Sequence, residues 1–188
     1  MKKVLVFIPF VLIVFISFGQ KQKSKLKIPK KPNQISTIDS KINLYQAGDF
    51  YIAGQPSDSM FLALQDKGLD VVINVRTPEE MEALKKEGFD EEVFLDSLGI
   101  KYLNLPIGGK AGYSKEVIDN INSALASSKG SAMIHCRSAG RATNAWVAWL
   151  INYDNIPVNT AITLGKQMQL KFNLEDLLGY DLYYDKNK

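Results

Sequence analysis

Cysteine and histidine are nearly absent from this sequence of 188 residues, which contains one of each. A single cysteine excludes an internal disulfide, and one cysteine with one histidine excludes a structural zinc site of the usual Cys/His kind. Charged residues make up 23% and hydrophobic residues 46%. These ordinary values argue against global disorder, collagen and a multi-span membrane protein. Chemistry must therefore come from few groups, and the two rare residues are adjacent, at His135 and Cys136.

The first 19 residues have the order of a secretory signal peptide. Lys2 and Lys3 precede an apolar run from Val4 to Ile16, and small residues follow it. The run is shorter than the ~20 residues that span a bilayer comfortably. An uncleaved N-terminal anchor is the alternative, whereas a lipoprotein anchor is excluded because no cysteine lies near the end of the run. We predict an exported protein, periplasmic or secreted, whose only membrane contact would be an uncleaved N-terminus.

Residues 20–40 are predicted to be a linker before a domain that spans residues 41–188. The stretch 21–36 carries six lysines and two prolines but no acidic residue, a composition typical of a flexible tether. Residues 32–188 hold 15 basic and 20 acidic side chains, a net charge of −5. The basic character of the whole chain is thus a property of its tail, and the acidic domain argues against a nucleic-acid partner.

Along the domain, predicted strands alternate with predicted helices. This order favours an α/β fold, with a mostly parallel central sheet flanked by helices on both faces. The predicted elements are a hairpin at 43–53, strands at 71–75, 100–105 and 132–135, and helices at 57–67, 77–87, 91–98, 114–128, 141–153 and 158–170. Thr77-Pro78-Glu79-Glu80 forms a capping box, and Ser114 is expected to cap its helix. In such sheets ligands bind beyond the carboxyl ends of the strands.

Two groups of aromatic residues in the C-terminal part of the domain are predicted to be structural. Trp146 and Trp149 lie three residues apart on a helix that is apolar nearly all round, so we expect them in the core. Tyr180, Tyr183 and Tyr184 are expected to dock the C-terminal tail.

The segment after the last predicted strand, His135-Cys136-Arg137-Ser138-Ala139-Gly140-Arg141, has the composition of an anion-binding loop. A cysteine at the end of a strand and just before a helix meets free N–H groups and the positive end of the helix dipole, which favour a thiolate. Ser138, Ala139 and Gly140 are small enough for the backbone amides to form an anion nest, and Arg141 can bind an oxyanion in two-pronged fashion. The alternative is that Cys136 and His135 are ordinary core residues.

Four segments together carry a family resemblance. Ala53-Gly54-Gln55-Pro56-Ser57, VVINVRTPEE (71–80), YLNLPI (102–107) and HCRSAGR (135–141) resemble the bacterial dual-specificity-phosphatase-like family, also called beta-lactamase-hydrolase-like phosphatases. The resemblance runs from about residue 43 to about residue 170, and it implies a cysteine-phosphatase-like fold. It implies Cys136 as the nucleophile, Arg141 as the phosphate-binding arginine and His135 as the residue that orients and tunes the thiolate. The implied phosphate-binding segment is Arg137, Ser138, Ala139, Gly140 and Arg141. Arg76 matches an arginine of the family, and we interpret it as supporting structure.

Three departures from the family pattern of cysteine phosphatases bear on the reaction. Four residues separate Cys136 from Arg141 instead of the usual five, a spacing that also resembles the active loop of rhodanese sulfurtransferases. Ala142 replaces the Ser or Thr that helps the thiolate leave, and Thr143 lies one residue further on. The loop 106–113, where the general acid is expected, contains no Asp or Glu. Glu116 and Asp119 are the nearest acids, and we interpret both as solvated helix charges.

The sequence supports three functional hypotheses. The first is hydrolysis of a phosphomonoester, in a phosphorylated small molecule or a phosphoprotein, through a phosphocysteine on Cys136. The second is sulfur transfer through a persulfide on the same residue. The third is an anion-binding or partner-binding module that has lost its acid. We predict no cofactor and no metal for any of them.

Overall fold

The computed structural model describes residues 32–34, 41–171 and 174–183. Its strands are β1 (Asn33–Gln34), β2 (Leu44–Ala47), β3 (Phe50–Ala53), β4 (Leu69–Asn74), β5 (Lys101–Asn104) and β6 (Ser131–His135). Its helices are α1 (Asp58–Gln65), α2 (Pro78–Lys86), α3 (Glu91–Ser97), α4 (Lys115–Ala126), α5 (Gly140–Asn152), α6 (Val158–Lys166) and α7 (Glu175–Leu178). The predicted signal peptide lies outside the described residues, as does most of the predicted linker.

The six strands form one sheet in the order β1-β2-β3-β6-β4-β5. Strands β3, β6, β4 and β5 are parallel, whereas β1 and β2 are antiparallel additions at one edge. The predicted mostly parallel α/β fold is confirmed, and β2 with β3 is the predicted hairpin. Asn33 and Gln34, inside the predicted linker, pair with β2 as strand β1.

The register of the sheet aligns the carboxyl ends of its parallel strands. His135 at the end of β6 lies opposite Ala53 of β3 on one side and Asn74 of β4 on the other, and Asn74 in turn faces Asn104 of β5. Because parallel strands end at the same edge, the segments that follow these residues must converge there. The register thus brings the AGQPS, INVR and HCRSAGR segments together.

Alternating side chains of the sheet fill two cores, one on each face. Val71 and Ile73 pack on the face covered by α4, α5, α6 and α7, whereas Val72 packs on the face covered by α1 and α3. Trp146 and Trp149 are both fully buried in the first core, as predicted. The ring of Trp146 meets Phe50 of β3 edge-on at 6.1 Å between centroids, a favourable aromatic geometry.

Some boundaries and end contacts differ from the sequence-based expectation. Helix α6 ends at Lys166 instead of near residue 170. Ser114 stands at the cap position of α4, but its hydroxyl makes no capping bond, and the helix is held instead by buried residues such as Ile118. Of the three tyrosines predicted to dock the tail, Tyr184 lies outside the described residues. Tyr180 is 47% exposed, but its hydroxyl donates to Oδ1 of Asn152 at 3.2 Å. Tyr183 is 95% exposed, so the prediction that it docks the tail is wrong. Buried leucines of the α7 region pack there instead, because they can leave water without an unpaired hydroxyl. Within the described ranges, no helix is long and apolar enough to span a membrane.

Candidate active site

Cys136 directly follows β6, and the residues 136–139 form the whole connection to α5. The thiol-bearing residue is 1% exposed, and its backbone N–H donates to the carbonyl of Ala53 at 3.2 Å. Ala139 completes the turn with φ of +75°, in the left-handed region. A residue with a Cβ pays roughly 1–2 kcal/mol in that region, so the short loop is a strained, sharply turned connection.

The AGQPS segment is the wall against which the cysteine loop rests. The backbone N–H of Gln55 donates to the carbonyl of Arg137 at 3.2 Å, and Gly54 pairs with Ser138 as an isolated β-bridge. A Cβ on Gly54 would lie only 3.2 Å from the carbonyl oxygen of Arg137. Glycine therefore allows the two backbones to approach closely, and the approach fixes the loop beside β3.

Arg141, in the first turn of α5, is held by three hydrogen bonds on one side of its guanidinium. Nη1 and Nη2 donate to the two carboxylate oxygens of Glu80 at 2.7 and 2.8 Å, and Nη1 also donates to the carbonyl of Ile107 at 3.0 Å. A guanidinium has five N–H donors, so Nε and one hydrogen of Nη2 stay available. The bonds to Glu80 raise the pKa of Arg141, with a smaller contribution from the thiol of Cys136, which lies within its reach. The arginine is thus fixed beside the cysteine with a two-pronged edge to offer.

Glu80 has two roles that the sequence joins in one residue. In the capping box of α2 its carboxylate accepts the N–H of Thr77 at 2.9 Å, while the hydroxyl of Thr77 caps the N–H of Glu80. The same carboxylate binds Arg141 and lies 3.7 Å from Nε of Arg76. Partial burial opposes ionisation, but hydrogen bonds from Arg141 and Thr77 and the charge of Arg76 outweigh it and lower the pKa of Glu80 to about 2. The capping box therefore doubles as the clamp on Arg141.

His135 is paired with a carboxylate that the sequence does not reveal. Its Nε2 lies 2.9 Å from Oε1 of Glu91, and both side chains are fully buried. Glu91 is the first residue of α3, where the helix dipole favours a negative charge. Burial works against ionisation of Glu91, but the facing His135 and hydrogen bonds from Gln55 and Asn74 lower its pKa. Breaking such a pair by removing one partner leaves an uncompensated buried group.

Gln55 and Arg76 link two pairs of side chains, His135 with Glu91 and Arg141 with Glu80. The side-chain Nε2 of Gln55 donates to Glu91 at 2.6 Å, and its Oε1 accepts from Nη1 of Arg76 at 2.6 Å. Asn74 donates to Glu91 at 2.8 Å and accepts the backbone N–H of Arg76 at 2.8 Å. Arg76 is thus a supporting element of the site and stands between Gln55 and Glu80.

The loop at residues 106–113 holds no carboxylate. It forms a 3-10 turn at Gly109–Ala111, closed by a 2.7 Å bond from the N–H of Gly108 to the carbonyl of Gly112. Gly108, Gly109 and Gly112 all have positive φ, which glycine adopts without strain. A Cβ on Gly108 would lie 3.8 Å from Cδ of Arg141, so the loop borders the arginine.

Thr143 and Asp119, two further polar residues that the sequence singles out, make hydrogen bonds within the protein. Thr143 donates its hydroxyl to the carbonyl of Ala139 at 2.9 Å and does not substitute for the missing hydroxyl at position 142. Asp119 is a partly exposed helix charge that accepts from Lys115 four residues earlier and from the hydroxyl of Tyr153. Within the described part of the chain, no cluster of three His, Cys, Asp or Glu side chains could hold a metal. A cavity of 530 Å³, lined by residues such as Gly68, lies at the amino ends of the parallel strands, away from this site.

Among the predicted site residues, Arg141 lies within reach of the thiol of Cys136, and the imidazole of His135 contacts Glu91. Sequence reasoning missed Glu80 and Glu91 as their partners, although Glu80 was visible as the end of a capping box. Glu91 carried no comparable signal, since the pair Glu91-Glu92 reads as ordinary acidic residues at a helix start. The roles of the loop residues in a reaction stay predictions.

Solved structures match this fold, whereas no protein-family model and no curated protein matches the chain. Tk-PTP in its active form is 17% identical, with a TM-score of 0.55 over 70% of this chain and 92% of that chain. A cysteine-to-serine variant of TpbA from P. aeruginosa, in complex with phosphotyrosine, is 18% identical, with a TM-score of 0.55 over 80% and 85%. A candidate protein tyrosine phosphatase from Leishmania major is 20% identical, with a TM-score of 0.52 over 71% and 88%. The chain therefore has the α/β fold of the tyrosine-phosphatase-like structures.

Proposed function

We propose that this protein hydrolyses phosphomonoesters through a covalent phosphocysteine on Cys136. The observation that carries the proposal is the clamp of Glu80 and Ile107 on Arg141, which uses three guanidinium donors and keeps the Nε–Nη2 edge outside the clamp, with the thiol of Cys136 within reach. A guanidinium edge of this kind matches two oxygens of a phosphoryl group. The likeness to phosphatase structures supports the same chemistry.

The proposed reaction has two displacements at phosphorus. The thiolate sulfur of Cys136 forms a bond to phosphorus while the bond to the leaving oxygen breaks, and the leaving oxygen takes the electron pair. The oxygen of water then bonds to the phosphorus of the phosphocysteine, the sulfur–phosphorus bond breaks with its electron pair on sulfur, and the thiolate is regenerated while inorganic phosphate leaves with the protons of the water. Arg141 and the amides of the loop stabilise the charge on the equatorial oxygens in both steps, as preorganised donors do in acyl and phosphoryl transfer.

The leaving group determines which substrates fit this site. The loop at residues 106–113 offers no carboxyl group to protonate the leaving oxygen, and a positioned acid is worth typically ~10²–10⁴ in rate. A phenolate leaves more readily than an alkoxide because phenols such as tyrosine have a pKa near 10. We therefore propose aryl phosphates as the preferred substrates. Phosphotyrosine, the ligand bound by the TpbA variant, is the biological aryl phosphate that we expect to fit. The partner would be a phosphoprotein or a phosphorylated small molecule.

Export completes the proposal. The residues 1–19 have the pattern of a signal peptide, so the domain would act in the periplasm or outside the cell, or at the membrane if the N-terminus stays uncleaved. N-terminal sequencing of the mature protein from fractionated cells tests this point. A mature N-terminus near residue 20 in the exported fraction is expected, and a full-length chain confined to the cytoplasm would refute it.

Sulfur transfer through a persulfide on Cys136 is the second candidate. It is favoured by the four-residue spacing to Arg141 and by the engagement of the Thr143 hydroxyl with the Ala139 carbonyl, which removes a feature suited to phosphocysteine turnover. In this reaction the sulfur of thiosulfate would pass to Cys136 with release of sulfite, and then to cyanide as thiocyanate. An anion-binding module without turnover is the third candidate.

One pair of assays separates the three candidates. The mature domain is expected to hydrolyse an activated aryl phosphate, and Cys136→Ser is expected to abolish this hydrolysis. Thiosulfate-to-cyanide sulfur transfer is measured side by side on the same preparations. Undiminished aryl phosphate turnover in Cys136→Ser would contradict the proposal. Sulfur transfer without phosphatase activity would establish the second candidate. If the protein shows neither activity, the anion-binding module is the candidate that remains.

A further inference from the structure

The side chain of Gln55 lies between the two pairs of side chains of the candidate site. One pair, Arg141–Glu80, belongs to α5 and α2, whereas the other, His135–Glu91, joins the end of β6 to the start of α3. The amide of Gln55 lies 2.6 Å from Glu91 on one side and 2.6 Å from Arg76 on the other.

The amide group is matched to that place in a way that similar side chains are not. It donates to a carboxylate and accepts from a guanidinium, so its orientation is fixed by the charges on either side. The reversed amide would present an oxygen to Glu91 and a donor to Arg76, and both contacts would be lost. A glutamate keeps the acceptor for Arg76 but loses the donor to Glu91, and a leucine of similar size loses both.

The backbone of Gln55 extends this connection to the nucleophile loop. Its N–H donates to the carbonyl of Arg137, one residue beyond Cys136, and its neighbour Gly54 bridges Ser138. Arg76 continues the chain of contacts to Glu80 and thereby to Arg141. Gln55 therefore contacts the cysteine loop, Glu91 and Arg76. Arg76 in turn contacts Glu80, the partner of Arg141.

We propose that Gln55 is a positioning residue that holds the His135–Glu91 pair and the Arg141–Glu80 pair in a common geometry around Cys136. This inference rests on the proposed function for kcat/KM and for vanadate inhibition, but not for the reactivity of Cys136, because alkylation of the thiol is measured without turnover. The groups that face Glu91 are His135, Gln55, Asn74 and Tyr102, so a change at Gln55 acts on the charge next to His135.

The test compares Gln55→Leu and Gln55→Glu with the wild-type protein and with Gln65→Leu. Gln65 is a matched control, because it is also half-buried and donates one side-chain hydrogen bond, to the carbonyl of Leu98 at 2.8 Å. Gln55→Leu loses the bonds to both Glu91 and Arg76 and is expected to lower kcat/KM at least roughly tenfold, since tenfold is the scale of one lost hydrogen bond to a charged group. It is also expected to weaken inhibition by vanadate and to shift the pH dependence of Cys136 alkylation by iodoacetamide. Gln55→Glu places a second carboxylate against Glu91 and is therefore expected to shift the alkylation profile, whereas its remaining contact with Arg76 should keep the vanadate inhibition constant close to that of the wild type.

The two proposals fail in different ways in this experiment. If Gln55→Leu changes only the melting temperature, as Gln65→Leu does, and leaves the alkylation profile and the vanadate constant of the wild type, the positioning role is refuted. If Gln55→Glu weakens vanadate inhibition as much as Gln55→Leu does, the contacts of the amide with Glu91 and with Arg76 do not act separately, and the inference is also refuted. A wild-type protein whose thiol reacts only when unfolded would instead refute the proposed function.

Discussion

Replacing Glu80 by glutamine is expected to destabilise the protein in a manner that depends strongly on pH. The substitution keeps the size of the side chain and an acceptor for the capping box, but it removes the negative charge between Arg141 and Arg76. Those contacts exist only while the carboxyl group is ionised. The lost stability is therefore tied to one titration.

The magnitude follows from the pKa of Glu80. It is lowered from 4.5 to about 2 in the folded protein, and each unit corresponds to about 1.4 kcal/mol, so the ionised carboxylate contributes at most about 3.5 kcal/mol, and less because solvent screens a partly exposed pair. Because the folded-state pKa is depressed, this contribution is complete above the unfolded-state value near 4.5 and is lost as the pH falls towards 2. Glu80→Gln should therefore lower the free energy of unfolding by roughly 2–3 kcal/mol near neutral pH and by much less near pH 2.

Equilibrium urea unfolding at a series of pH values measures this difference directly. Glu82→Gln is the matched control, since Glu82 is an exposed residue of the same helix, and its effect should stay within about 0.5 kcal/mol at every pH. A wild-type-to-variant difference that is the same at pH 7 and near pH 2 would refute the assignment of Glu80 as a charge clamp. So would a Glu80→Gln effect no larger than that of the control.

Three further predictions concern the loop itself. Arg141→Lys should weaken vanadate inhibition at least tenfold, because an ammonium cannot supply a planar two-pronged edge; equal inhibition constants would show that Arg141 faces elsewhere. Native Cys136 should be alkylated by iodoacetamide below pH 7 and protected by phosphate or sulfate, and labelling that requires denaturant or rises only near pH 8.5, the range of an ordinary thiol, would make it a core residue. Gly54→Ala should weaken vanadate binding and lower stability by about 1 kcal/mol, because its Cβ presses on the carbonyl of Arg137 at 3.2 Å; unchanged binding and melting temperature would show that the loop yields freely.

The architecture was predictable because local patterns carried it. The compact run at Val71–Val75 indicated a buried strand, the capping box indicated the start of α2, and the alternation of strands and helices indicated a parallel sheet. The cysteine loop could be located for the same reason, since the carboxyl end of a parallel strand is a common place for a site.

The charge partners of the loop could not be predicted from local patterns. Glu91 lies 44 residues before His135, and it meets the histidine only because β6 sits beside β4 and α3 packs on that face. Its sequence neighbourhood resembles any acidic helix start. Tyr183 shows the opposite error, since its residue type suggested burial, whereas buried leucines of α7 pack in the core there.

The most direct test of the proposed chemistry is to look for the covalent intermediate. The mature protein is mixed with an activated aryl phosphate, quenched rapidly under denaturing conditions, digested and analysed by mass spectrometry. One phosphoryl group on the peptide that contains Cys136, carried by the sulfur and absent from Cys136→Ser, is the predicted result. Turnover without any such adduct, or an adduct on another side chain, would contradict a mechanism in which Cys136 is the nucleophile.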